Sequence, residues 1–275
     1  MDGTTFDLPD TQANDAFFGS PGSSRGERRG ASPQARVAAV VECGTHAVFA
    51  AEVSPLAEHE TVLARHLFGR LSARILLLAD RGLVAFDLCR AASTSGADLL
   101  WRVKNSAVLP VTQALGDGSH LSEIVAARDK NCRADPITVR VIEYTLGSGP
   151  DGTVYRLVTT ILDPVASPAA ELAALYAQRW EIGTTLDEIK THQGGPGLVL
   201  RSQHPAGAKQ EIYAFPLVHH TLRDLMHEAA QQAGRDRTGS PSPAPCTSYA
   251  ATSPARRHFP PVPAHPSPGP GPDSA

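Results

Sequence analysis

The sequence predicts an α/β fold, a sheet with helices packed against it and a β-rich insertion ahead of a long helix. Three observations predict it. Ile75–Ala79 (ILLLA) is a continuous apolar run that stops at Asp80, the pattern of a strand buried on both faces. Strand-like and helix-like runs alternate from Val37 to Lys104. From about 105 to 163 the character changes to short strand-like runs separated by Gly and Asp turns, and a long helical pattern follows.

Val37–Glu42 (VAAVVE) opens the sheet as a short apolar strand. Cys43-Gly44-Thr45 reads as a tight turn and His46–Val53 as a returning strand, so the two predict an antiparallel hairpin. Pro55–Phe68 fits a helix with Leu56, Leu63 and Leu67 near one face. After the strand at 75–79, Gly82 breaks the chain, Val84–Ser95 reads as helix and Asp98–Lys104 as strand. In the insertion, Ile137–Thr145 and Tyr155–Ile161 are strands joined through Gly147–Gly152 as a hairpin tip. Pro168–Lys190 is the long helix, with Pro168 suited to its first turn. Gly183 lies in its interior at a cost of about 1 kcal/mol relative to Ala. Gly194-Gly195-Pro196-Gly197 ends that helix, and Ala208–Gln232 is another helical stretch with Pro216 as a kink. Residues 12–35 are rich in Gly, Ser and Pro, carry a basic group at Arg25, Arg28 and Arg29, and predict little regular structure.

The 275 residues can hold one substantial core or two small domains. Of the 23 prolines, 11 fall between Pro241 and Ala275, where helix and central strand are excluded by the missing amide donors. The expected organisation is a catalytic-type domain over 1–235 and a disordered Pro-rich tail over 236–275. The formal net charge of −3 argues against a polybasic nucleic-acid or membrane binder but leaves local basic patches open. No apolar run is long enough for a transmembrane helix, and the acidic start MDGTTFDLPD lacks a signal-peptide core. Cys43, Cys89, Cys132 and Cys246 are scattered, as expected of a reduced, cytoplasmic protein.

Asp80 stands at the C-terminal end of a buried strand, a place suited to metal or substrate chemistry, and equally to a turn or helix-cap aspartate. Asp2, followed by Asp7 and Asp10, is a second carboxylate near the start. Two carboxylates brought together could hold Mg²⁺ or Mn²⁺, which prefer hard oxygen ligands. On the long helix Tyr176, Arg179 and Gly183 are three and four residues apart and share a face, with Lys190 two turns beyond. That face suits phosphate recognition beside acidic metal ligands, and it also suits an ordinary solvated helix. The histidines form no zinc-type spacing, the segment Cys43–His46 lacks the geometry of a Cys/His nucleophile, and no phosphate-binding glycine loop is present.

In order along the chain, DGTTFDLPDT, ECGTHAVF, LLLADRGL, GADLLWRVK, YAQRWEI, DEIKTHQGG and RDLMHEAA make it resemble the DDE transposases of bacterial insertion sequences. These are marked by a Tyr-x2-Arg-x3-Glu-x6-Lys signature, and the resemblance runs from Asp2 to about Ala233. It implies an RNase H-like catalytic core with the β-rich insertion before the signature helix. It also implies cut-and-paste DNA transposition by two-metal phosphoryl transfer, the ions about 3.5–4 Å apart. By the same resemblance Asp2 and Asp80 are catalytic metal ligands, and Tyr176, Arg179 and Lys190 contact DNA. The cofactor is Mg²⁺ or Mn²⁺. The partners are element ends and target DNA, with a second copy or a full-length transposase, and the location is the bacterial nucleoid.

The chain departs from the pattern at one position. The third acid is expected four residues after Arg179, and that residue is Gly183. Glu181 points roughly 160–200° away on a regular helix, and Asp187 lies about 6 Å further along the axis, so neither is expected to substitute. Impaired cleavage is the expectation. The first strand is expected to be truncated to little more than Met1, since Asp2 is the second residue. A non-catalytic DNA-binding remnant and a metal-dependent nuclease of the same fold are the alternatives.

Overall fold

The computed structural model describes residues 1–22, 32–126, 135–146, 153–195 and 197–232. Their strands form two sheets. β1 (Asp2–Asp7), β2 (Gln34–Val41) and β3 (Val48–Pro55) lie antiparallel in the order β1-β2-β3. β4 (Leu76–Ala79) runs parallel to β5 (Asp98–Arg102). The insertion adds β6 (Gln113–Ala114), β7 (His120–Ile124), β8 (Ile137–Leu146) and β9 (Thr153–Thr159), giving the order β4-β5-β9-β8-β7-β6. The edges of β1 and β4 meet where the Met1 ammonium donates to the Leu78 carbonyl at 2.8 Å. Burial pushes that ammonium down to a pKa of about 6.

The helices are α1 (Gln12–Phe18), α2 (Glu60–Phe68), α3 (Phe86–Thr94), α4 (Ala169–Ala177), α5 (Trp180–Asp187) and α6 (Pro205–Gln232), with a π-helical turn over Glu188–Gln193. α2 and α3 cover one side of the core: Leu63, Leu67, Phe68 and Leu88 pack with Leu77, Ala79 and Trp101. The Phe68 and Trp101 rings stack at 6.3 Å. On the other side, α4 places Leu172 and Tyr176 against Leu78, Leu100 and Leu157. β4 therefore alternates between two buried faces, which is why its sequence is continuously apolar. Each fully buried Leu contributes roughly 1.5–3 kcal/mol of transfer free energy.

The hairpin, the strand pair at 75–104 and the insertion strands form as the residue pattern predicts. Three expectations are corrected. β1 is a full strand of six residues paired with β2 from Asp2↔Ala39 to Asp7↔Gln34, not a stub at Met1. Phe6 and Leu8, at 3% and 0% exposure, anchor its far end in the core. Residues 12–18, expected to be irregular, form α1. Thr11 Oγ1 caps it by accepting from the Asn14 N–H at 3.2 Å, and Phe18 is buried at its end. Gly19, at φ +78°, then turns the chain in a conformation that favours glycine.

The long helix expected over Pro168–Lys190 is interrupted. Around Arg179 the bonds tighten to i→i−3: Arg179 N to Tyr176 O at 3.0 Å, Glu181 N to Gln178 O at 2.9 Å and Ile182 N to Arg179 O at 3.3 Å. After Asp187 they loosen into the π turn, where Gly194 N reaches Ile189 O at 3.2 Å. A uniform 3.6-residue period therefore does not hold from Tyr176 to Lys190. α6 continues through Pro216 and ends at Gln232. The described residues pack as one compact unit. The Pro-rich tail from 236, the basic group at Arg25–Arg29, the hairpin tip at 147–152, Pro196, Cys132 and Cys246 lie outside the described residues. Cys43 and Cys89 are free thiols.

Candidate active site

Strand parity aims both acids at the same layer. Asp2, Thr4 and Phe6 share the β1 face that is continuous with Ala39 and Val37 of β2. That face is covered from α5 onward: Ile182 packs on Ala39 and Val41, and Ile189 packs in the cluster of Phe6 and Val37. Asp80 follows the parity of Leu78, which faces α4. The acids thus converge under the α4–α5 junction, where Arg179 sits.

Arg179 is 6% exposed. Its Nη1 donates to Asp2 Oδ2 at 3.4 Å, and its Nη2 forms an ion pair with Asp80 Oδ2 at 3.7 Å. Each carboxylate commits its other oxygen locally: Asp2 Oδ1 accepts from Gly3 N at 2.9 Å and Asp80 Oδ1 from Arg81 N at 2.8 Å. Asp80 is not a helix cap, because α3 is capped at Ala85. The side chains of Asp2 and Asp80 are 41% and 40% exposed, so both carboxylates face solvent across the guanidinium. The guanidinium carbon lies 4.7 Å from the Trp180 ring and 5.9 Å from the Tyr176 ring.

The other expected positions separate. Tyr176 is 2% exposed, and its hydroxyl donates to the Ala79 carbonyl at 3.2 Å. Burial pushes the phenol well above its ordinary pKa. In this structure it anchors α4 to the end of β4 instead of presenting its ring to a ligand. Lys190 Nζ lies 5.8 Å from the Phe6 ring, on the Asp2 face of β1 but about 13 Å further along the strand. Gly183 is exposed, and a Cβ there would meet nothing within 4 Å. Glu181 is held by the β2–β3 turn, where it accepts from Gly44 N and lies 3.8 Å from His46 Nε2. Asp187 accepts from Thr191 Oγ1 at 2.7 Å.

Two further groups escaped sequence reasoning, one beside the acids and one at the far end of α5. Glu60, at the start of α2, lies under β1 against Gly3: a Cβ at Gly3 would come within 3.2 Å of Glu60 Oε1 and 3.3 Å of the Val37 carbonyl. Burial, and then the charge of Asp2, raise its pKa, while Arg36 opposes them. No residue spacing relates Glu60 to Asp2, so only the pairing of α2 with the sheet reveals it. The second group is a clasp on Glu188. Its Oε2 accepts from Arg223 and lies 3.0 Å from His219 Nε2 and 3.5 Å from His46 Nδ1. Burial raises the Glu188 pKa, but the hydrogen bonds from Arg223 and His219 outweigh it and bring the carboxyl down to about 2. Glu188 and Arg223 both lie in segments that carry the family resemblance, the one signal that could have marked them.

A divalent-cation site needs oxygen ligands converging on an open position. Among the described residues, no group of three or more His, Cys, Asp or Glu side chains is placed to hold a metal ion. The residues as they stand do not fit the implied two-metal site. Two carboxylates share a guanidinium, and the position one turn beyond Arg179 offers no ligand. No described helix is long and apolar enough to cross a membrane.

A protein-family model described as "Transposase DDE domain" matches residues 1–215. Transposase InsG for insertion sequence element IS4, from Escherichia coli (strain K12), is 27% identical over 237 residues, 84% of this chain and 52% of that protein. InsZ of the same strain is 28% identical over 101 residues, 37% of this chain and 33% of its own length. This chain thus spans about half or less of the length of the curated relatives it matches. Among solved structures, a piggyBac transposase synaptic complex with hairpin DNA matches with a TM-score of 0.51 at 10% identity, over 86% of this chain and 48% of that one. That likeness shows the fold, an RNase H-like α/β core. The chain belongs to the transposase DDE domain family.

Proposed function

We propose that this chain is the catalytic-core part of an insertion-sequence transposase that engages DNA ends while its strand cleavage is impaired. The family generally uses divalent metal ions, and the reading takes cut-and-paste, two-metal phosphoryl transfer as the activity this chain derives from, with a ligand set that no longer completes it. One observation carries the impairment: Asp2 and Asp80 converge on Arg179, and the residue one turn beyond is Gly183. In this reading Asp2 and Asp80 are two of three catalytic ligands. Arg179 and Lys190 supply cations toward DNA phosphates, and Tyr176 supports Arg179 from beneath. The domain covers 1–235, and the partners are element ends, target DNA and a second copy or full-length transposase in the bacterial nucleoid.

A second reading, a non-catalytic DNA-binding remnant that modulates a full-length transposase, draws on the exposed ring of Trp180 beside Arg179 and on Lys190 along the same layer. One experiment addresses both readings. The full chain is titrated with a duplex carrying the element's terminal repeat, at several salt concentrations, with Mn²⁺ present. The expected result is binding that weakens with salt, with cleavage at the background level of an Asp80→Asn variant. Absence of end binding overturns both readings. Cleavage well above the Asp80→Asn level overturns the impairment.

A further inference from the structure

The guanidinium of Arg179 occupies the position between two acids where their counter-charge belongs. We propose that Arg179 is the resident counter-cation of the Asp2–Asp80 pair, and that its positive charge keeps a divalent cation off that pair. This rests on the reading of Asp2 and Asp80 as the site's acids, but not on any cleavage activity.

Four observations carry it. Arg179 is 6% exposed, so its charge is held inside the protein, and a buried cation persists only where it is paired. Its two terminal nitrogens divide between the two carboxylates, one each, at 3.4 and 3.7 Å. Both acids turn Oδ2 toward it and satisfy Oδ1 with the next backbone N–H, so the pair is arranged around the guanidinium. The residue one turn beyond, Gly183, supplies no third acid, and Glu60, the further acid nearby, lies under β1 against Gly3 and not between the pair, so the three groups carry a net charge of about −1, too little to draw a doubly charged ion past a fixed cation. Tyr176 beneath and Trp180 beside the guanidinium limit where it can go.

The test is Mn²⁺ binding, read by the loss of the free-ion electron paramagnetic resonance signal, with no DNA present. The parent chain is expected to bind Mn²⁺ at this pair no tighter than about millimolar. Arg179→Gln removes the charge and is expected to tighten binding at least tenfold, a gain that Asp80→Asn in the same background abolishes. Arg179→Lys keeps the charge and is expected to bind within threefold of the parent, which a merely structural role for Arg179 does not require. Unchanged or weaker Mn²⁺ binding by a folded Arg179→Gln variant overturns the proposal. Should that variant fail to fold, the parent and its Asp80→Asn variant decide. Equal, weak Mn²⁺ binding by the two supports the proposal, and tight parental binding that Asp80→Asn removes overturns it. None of these outcomes depends on cleavage, so failure of the transposase reading and failure of this one are told apart.

Discussion

At the start of α5, Arg179 meets Asp2 and Asp80 at 3.4 and 3.7 Å, with both carboxylates about 40% exposed. Just past the end of α5, Glu188 accepts from Arg223 and lies 3.0 Å from His219, with its carboxylate and the guanidinium each 23% exposed. Both clusters join an acid to an arginine across distant segments. In the second, donors from α6 crowd a single carboxylate, and the joint ties α6 to the π turn and to the β2–β3 turn through His46. In the first, two acids share a single guanidinium at longer range and stay in contact with water. A carboxylate saturated by donors is a fastener, whereas two partly solvated carboxylates divided over one buried guanidinium are joined more loosely.

The comparison is broken most strongly at the fastener. Arg223→Ala leaves Glu188 with a lost charged hydrogen bond and is expected to lower unfolding stability by about 1–2 kcal/mol, after allowance for partial exposure. Arg179→Gln is expected to lower it by less than about 1 kcal/mol, because its acids remain solvated. Urea unfolding of the two variants checks this, and equal losses would erase the distinction.

The same fastener sets an acid limit. The Glu188 carboxyl has a folded pKa of about 2 against an ordinary value of 4.5. A depressed carboxylate contributes stability that is complete above the ordinary value and is lost as pH falls from about 4.5 toward 2. His219 acts in the same direction at higher pH. Burial chiefly lowers its pKa below 6.5, so the folded state resists the proton that the unfolded chain takes up. The buried Met1 amine, at about 6 against an ordinary 8.0, adds a loss as pH falls from about 8 toward 6. Stability is expected to decline gradually below about pH 8 and more steeply below about 4.5. The Arg223→Ala variant is expected to flatten the lower limb, and a parallel decline in parent and variant would count against the clasp.

Smaller effects sharpen the site end. Gly183 has no positive φ, and a Cβ there meets nothing. Gly183→Ala is therefore expected to raise stability by about 0.5–1 kcal/mol through helix propensity. A loss would mean that the fold, and not only the chemistry, requires glycine there. Gly3→Ala is expected to be smaller still, within about 0.5 kcal/mol, as crowding of Glu60 offsets reduced backbone freedom in the unfolded chain. A loss above about 2 kcal/mol would show that the Val37 carbonyl cannot give way.

The elements most legible in the sequence were those whose burial repeats at a fixed period. β4 reads correctly because Leu76–Ala79 is buried on both faces, and the β2–β3 hairpin because Gly44 turns it. β1 and α1 were missed because their support comes from afar, from β2 and from the packing of Phe6 and Phe18. The break at Arg179 is invisible to a 3.6-residue period, since tightened and loosened turns use the same residue types. Asp2, Asp80 and Arg179 were marked by the family signature, and the structure brings them together. The helical spacing puts Tyr176, Arg179, Gly183 and Lys190 on one face, and the interruption separates Lys190 from Arg179. Glu60 carries no signal in one dimension, because its proximity to Asp2 exists only once α2 packs under β1.

The most direct test of the account is end cleavage by a Gly183→Glu variant, compared with the parent and with Gly183→Glu/Asp80→Asn, on terminal-repeat duplex with Mn²⁺. The predicted result is a gain of about a hundredfold or more over the parent, of the order that single catalytic groups contribute, with the gain lost in the double variant. Equal cleavage by parent and Gly183→Glu would contradict it.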